Sequence, residues 1–133
     1  MPQFLDTILT QTAVPVTGRS MRFAGARQAL LAENVANGST PNYKQRDMDV
    51  TAFRASLAKS LDKRDQTGRL DLTDVDASLT FDTGGITFHD GNNRSMEQLM
   101  TESAKNALNH NLLAELLRKQ FAQLRTALRE TPQ

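Results

Sequence analysis

Between Met96 and Leu128, apolar or small residues recur at alternating steps of four and three, through Met100, Ser103, Ala107, His110, Ala114, Leu117, Phe121 and Leu124. Only a helix satisfies that period, and a repeat sustained over more than four heptads wraps against a partner helix. The predicted helix, about Met96 to Arg129, would be roughly 50 Å long at 1.5 Å per residue. Its seam is small or polar in the first half (Ser103, Ala107, His110) and bulky in the second (Leu117, Phe121, Leu124). Leu99, Leu108, Leu112, Leu113 and Leu116 spread the apolar surface beyond one seam, so more than one contact face is expected. A three-helix bundle within one chain would satisfy the same period. Ser95 and Gln98, following the stop cluster Asp90-Gly91-Asn92-Asn93, have the spacing of a capping box.

The other helical regions lie at the opposite end. Phe4, Leu5, Ile8 and Leu9 predict a helix over residues 3–13, and Val14-Pro15-Val16-Thr17-Gly18 predicts a break near Ala13. Ser20 is the expected N-cap of a second helix, which carries Phe23, Ala24, Leu30, Leu31 and Val35. That helix stops at Asn37-Gly38, where either residue tolerates a left-handed backbone, and Pro41 keeps it from resuming.

The middle of the chain is read differently. From Lys44 to Phe53 alternation is partial and charged, which suits a solvated strand edge, and Phe53, Leu57 and Leu61 allow a short helix over 53–61. Residues 70–76 and 78–88 alternate at period two, with Gly84-Gly85 placed as a hairpin turn. Large apolar side chains are few between 59 and 93, so this part is expected to be weakly cored. The predicted fold is therefore mainly α. An N-terminal part (1–43) and a long C-terminal helix (94–133) pair in coiled-coil fashion around a small hairpin or irregular middle (44–93).

Composition narrows the function. Sixteen basic and 15 acidic residues leave a net charge of +1, and scarce aromatics do not interleave with Lys or Arg, which argues against nucleic acid as a partner. With no cysteine, thiolate catalysis, thiolate metal binding and disulfides are excluded. His89 and His110 do not form a metal spacing, and neither has a motif placing it beside a serine nucleophile. Asp74 and Asp76 read as a polar face rather than an acid/base pair. No enzymatic activity, cofactor, metal or small-molecule substrate is expected. No apolar run approaches the roughly 20 residues of a membrane span, and the first residues lack the pattern of a cleaved secretory signal.

Residues 31–43 read Leu31-Ala32-Glu33-Asn34-Val35-Ala36-Asn37-Gly38-Ser39-Thr40-Pro41-Asn42-Tyr43. This resembles the Leu-Ala-x-Asn-(Ile/Val)-Ala-Asn-x-x-Thr-Pro-x-Tyr motif that ends the N-terminal helix in rod and hook proteins of the bacterial flagellar axis. Short length, the Tyr43-Lys44-Gln45-Arg46-Asp47-Met48-Asp49 exit and Asp90-Gly91-Asn92-Asn93 are most similar to the proximal-rod members. Ser39 stands where the family usually has Asp, Asn42 where it usually has Gly, and His110 where an aromatic is frequent. The resemblance implies a structural subunit of the basal-body rod that self-assembles helically into the torque-transmitting axis through the periplasm. It also implies export without a cleaved signal peptide, with itself, other rod proteins and the membrane ring or export gate as partners. Another rod subunit of the same axis, or a non-enzymatic helical adaptor or export chaperone, are the alternatives. The residues expected to carry helix packing and assembly are Leu30, Leu31, Asn34, Val35, Asn37, Met100, Ala107, Leu117, Phe121 and Leu124, with the first three leucine and valine positions packed on the C-terminal seam.

Overall fold

A computed structural model describes residues 3, 7, 11–75, 79–81 and 92–130. Helix α1 spans Val14–Ala36, with proline in its first turn. Proline at the start of a helix lacks only an N–H that has no intrahelical acceptor, and its fixed φ suits the first turn. Pro15 therefore opens α1 instead of delaying it, and Ser20, the expected N-cap, lies inside the helix. Thr17 donates from both its backbone N–H and its hydroxyl to the Ala13 carbonyl, each at 2.9 Å. The helix expected over 3–13 falls largely outside the described residues.

The stop at the far end of α1 does not use a left-handed residue at Asn37 or Gly38. Asn37 sits at φ −100°, ψ 11°, and it is Asn42 that takes φ 61°. Asparagine tolerates that conformation through its short polar side chain. Asn37 closes the helix by donating to the Glu33 carbonyl twice, from its backbone at 3.0 Å and from Nδ2 at 2.9 Å.

Strand β1, Arg46–Met48, leads into helix α2, Val50–Thr67, which is longer than the 53–61 segment expected. The added turns come from their caps. The Asp49 carboxylate accepts the Ala52 N–H at 2.8 Å, and Gly68, at φ 73°, adopts the left-handed turn that donates its N–H to the Arg64 carbonyl at 2.7 Å. Strand β2, Leu79–Phe81, pairs antiparallel with β1 in the register Arg46↔Phe81, Asp47↔Thr80, Met48↔Leu79. The Gly84-Gly85 turn lies outside the described residues.

Residues 70–75 form no strand, contrary to their alternation. The Asp71 carboxylate accepts the Thr73 N–H at 2.9 Å and the Thr73 hydroxyl, and Val75 N–H turns back to the Leu72 carbonyl at 3.2 Å. Such side-chain bonds offer the backbone a turn in place of a ladder. They also lower the pKa of Asp71, so this turn is reinforced above the ordinary carboxylate range and loosens as acid protonates the group.

The middle is not coreless. Met48, Phe53 and Val75 join Phe23 of α1 in a buried cluster, with Leu30, Val50, Leu57 and Leu72 packed against it. The rings of Phe23 and Phe53 stack at 4.0 Å and 13°. Arg19 ties the far side by donating to the Val75 carbonyl at 2.7 Å. Few apolar residues suffice because α1 supplies the surface they pack on. Leu30 consequently packs against this cluster.

Helix α3, Asn92–Glu130, is 39 residues long and runs antiparallel to α1. It begins at Asn92, so Ser95, the expected N-cap, lies inside the helix. The packed line on α3 also differs from the seam read off the apolar residues. Ser103, His110, Leu117 and Leu124 are on both, but the alternate positions are Leu99, Asn106, Leu113 and Gln120. Leu99 and Asn106 are buried, whereas Met100 and Phe121 are about half exposed, at 54% and 48%.

Candidate assembly site at the motif turn and helix seam

Asn34 organises the turn. It is 2% exposed, three residues before the helix cap, and its side chain points away from the helix end towards the returning chain. Nδ2 donates to the Arg46 carbonyl at 2.7 Å, while Oδ1 accepts the Arg46 N–H at 3.1 Å and the Tyr43 hydroxyl at 3.1 Å. One amide thus meets both backbone groups of the first strand residue, as a neighbouring strand would. Three motif members divide the work: Asn37 caps the helix, Asn34 fixes the strand, and the Tyr43 hydroxyl donates to Asn34. Thr40 adds a turn bond, its N–H donating to the Asn37 carbonyl at 3.0 Å.

Charges lock the same junction. Arg46 pairs with Glu33 at 2.7 Å, and that hydrogen bond raises the arginine pKa. Arg27, with its side chain only 12% exposed, donates to both Asp47 oxygens at 2.8 Å and to Glu102 at 3.1 Å. It joins α1, β1 and α3 in one contact. The bond to Asp47 raises its pKa, against a smaller opposing effect of burial, so the guanidinium stays charged at every physiological pH.

Further along, the α1–α3 seam is polar. Gln28 donates to the Ser103 hydroxyl, and Asn106 Nδ2 donates to both the Ala24 carbonyl and Gln28 Oε1, all at 2.8 Å. Gln120 Nε2 donates to Thr17 Oγ1 at 3.1 Å. His110 lies over Gly25, where an added Cβ would stand 3.8 Å from Nε2. Polar seam positions set register and orientation, because sliding one helix leaves buried amides unpaired. Leu31, 2% exposed, continues the α1 spacing Ala24, Gln28, Leu31, Val35 that faces these residues.

At the end of the seam, Met96 reaches over Gly38. A Cβ at Gly38 would collide with the terminal methyl of Met96. Glycine is there for closeness, not for its torsional freedom. We expect Gly38→Ala to cost about 1 kcal/mol by displacing that methyl, and Met96→Ala in the same chain to remove the penalty. Urea unfolding of the double-mutant cycle measures the coupling.

Of the residues singled out from sequence, Leu31, Asn34, Val35 and Asn37 converge on this junction. Ala107, Leu117 and Leu124 are half-buried, and Met100 and Phe121 are exposed. Arg27, Gln28, Glu102 and Asn106 were not legible from apolar periodicity. The signal that reveals them is position: Asn106 lies seven residues from both Leu99 and Leu113.

Among the described residues, no group of three or more His, Cys, Asp or Glu is placed to hold a metal, and no helix is long and apolar enough to cross a membrane. The geometry is that of two long antiparallel helices with a hydrogen-bonded turn that holds a small side element to them. Flagellar basal body rod protein FlgB of Bacillus subtilis is 32% identical over 113 residues, covering 79% of this chain and 84% of that protein. FlgB of Escherichia coli is 29% identical over 116 residues, 77% of this chain and 82% of its own. No family model matches the chain. The chain belongs to the FlgB family of flagellar basal body rod proteins.

Proposed function

We propose that this chain is a non-enzymatic building block of the flagellar rod, assembling with copies of itself and with other rod proteins in the basal body. The observation that carries this reading is the α1–α3 pair locked by Arg27, Gln28 and Asn106 and joined through Asn34 to its side element. It supplies a stiff arm with a fixed side element, which is what a torque-bearing lattice needs of each subunit. Residues 1–43 and 94–133 form the axial core in this reading, and 44–93 faces neighbouring subunits. Export without a cleaved signal and contact with the membrane ring or export gate belong to the same proposal.

Deleting the gene tests it. Cells without the chain should fail to swim and yield basal bodies lacking the rod, and plasmid expression should restore both. Intact rods in the deletion strain would overturn the proposal.

A further inference from the structure

Asn37 is the one asparagine of the chain that is followed by glycine. Asparagine is a thermolabile residue, and the next backbone nitrogen can attack its side-chain carbonyl carbon. Glycine has no Cβ to stand in the way of that attack. Here the glycine is held in place by packing, because the terminal methyl of Met96 occupies the space a Cβ would need. The close approach of α3 to the end of α1 thus fixes a reactive dipeptide at the helix cap.

The fold also restrains it. Ring closure needs Cβ of Asn37 to eclipse the Gly38 nitrogen across the Cα–C bond. At ψ 11° the atom nearly eclipsed with that nitrogen is instead the backbone nitrogen of Asn37, so Cβ and the amide beyond it lie away. Two hydrogen bonds keep the amide there, from Nδ2 to the Glu33 carbonyl at 2.9 Å and from the Thr40 hydroxyl to Oδ1 at 3.3 Å. The attacking nitrogen is itself engaged, its N–H donating to the Val35 carbonyl at 3.3 Å. Residues 39–42 are exposed, so water reaches the turn. Conformation, not dryness, holds the reaction back.

We propose that Asn37 is a deamidation site closed by the helix cap, reacting when the turn opens or the chain is unfolded. In the open turn, hydroxide takes the proton of the Gly38 N–H and the nitrogen forms a bond to Cγ of Asn37. The Cγ–Nδ2 bond breaks, Nδ2 takes a proton from water and leaves as ammonia, and a five-membered succinimide remains. Water then adds to one of its two carbonyls and reopens the ring as aspartate or isoaspartate. Neither product refits the cap. A carboxylate has no N–H for the Glu33 carbonyl, and it places negative charge at the negative end of α1, four residues from Glu33. Isoaspartate also routes the main chain through Cγ, lengthening the turn on which Met96 closes. Ammonia is lost for good, so time spent open is recorded at this junction. The chemistry is measured on the isolated chain and does not depend on the rod reading.

Incubating the full chain in warm, mildly alkaline buffer, with and without unfolding guanidinium chloride, tests it. Peptide mapping by mass spectrometry locates each acid, and chromatography separates aspartate from isoaspartate. In denaturant Asn37 should react before every other asparagine. In the folded chain its rate should be at least about tenfold lower, in proportion to the population of the open turn. Gly38→Ala should slow the reaction in denaturant, where folding is not at stake. Met96→Ala should speed it severalfold in buffer and leave the denatured rate unchanged. Equal rates in folded and unfolded chain, another asparagine reacting first in denaturant, or a folded rate indifferent to Met96 would each overturn the proposal.

Discussion

Replacing Asn34 with leucine is expected to destabilise the chain by about 3 kcal/mol, because the new side chain fills the space yet leaves three polar groups without their partner. The Arg46 N–H and carbonyl lose the amide that meets both, and the Tyr43 hydroxyl loses its acceptor. Asn34 is 2% exposed, so water does not replace it without opening the turn. At this chain length the loss corresponds to a fall in Tm of roughly 10 °C, measured by thermal unfolding. Asn34→Asp separates the contributions. A carboxylate keeps both acceptor roles but faces the Arg46 carbonyl with a negative charge. Burial would raise its pKa above that of the unfolded chain, so the folded state binds the proton more tightly. Stability of this variant should therefore rise as pH falls from 7 towards 4, since the protonated acid donates where the amide did. A variant equally stable across that range would show that the side chain reaches solvent.

What the sequence disclosed follows from where the packing is apolar. The C-terminal helix, the stop after α1 and the pairing of the two terminal helices all rest on periodic leucines and on Asn, Gly and Pro, and these were legible; the antiparallel orientation was not. The face by which α3 meets α1 was not, because its hydrogen bonds to α1 are made by amide or charged side chains. A reading that follows apolar residues chooses Met100, Ala107, Ala114 and Phe121, whereas the chain places Leu99, Asn106, Leu113 and Gln120 there. The two lines differ by one residue at alternate positions, enough to turn α3 by about half of its 100° residue step. Long-range hydrogen bonds such as Asn106 to Ala24, 82 residues apart, leave no periodic trace.

Local chemistry misled in the opposite direction elsewhere. Leu70-Asp-Leu-Thr-Asp-Val alternates as a strand does, yet Asp71 captures Thr73 and bends the chain. The weakly cored middle is a related case. Counting apolar residues within 44–93 misses that Phe23 on α1 completes their cluster. At Gly38 the right residue was singled out for the wrong reason, since a close approach by Met96 from 58 positions away cannot be read from the turn itself.

Leu31→Asp combined with Leu117→Asp is expected to have the largest effect on the paired helices. Leu31 is 2% exposed, so the first change forfeits about 2 kcal/mol of apolar burial and adds several for a carboxylate without a partner. Leu117 is half-buried and adds about 1 kcal/mol more. Together these approach the whole stability of a typical small domain, roughly 5–15 kcal/mol. Far-UV circular dichroism should show loss of helix, and cells carrying the variant should not swim. The polar contacts cannot compensate. Each hydrogen bond contributes only about 1 kcal/mol net because water satisfies the same groups in the unfolded chain. Arg27, Gln28 and Asn106 therefore choose the register, while Leu31 and Leu99 hold the helices in it. Leu108→Asp supplies the contrast: at 70% exposure on the outer face of α3, it should leave helicity unchanged. Rods that still assemble from the Leu31→Asp, Leu117→Asp chain would mean that the α1–α3 pair is not the element that carries the load.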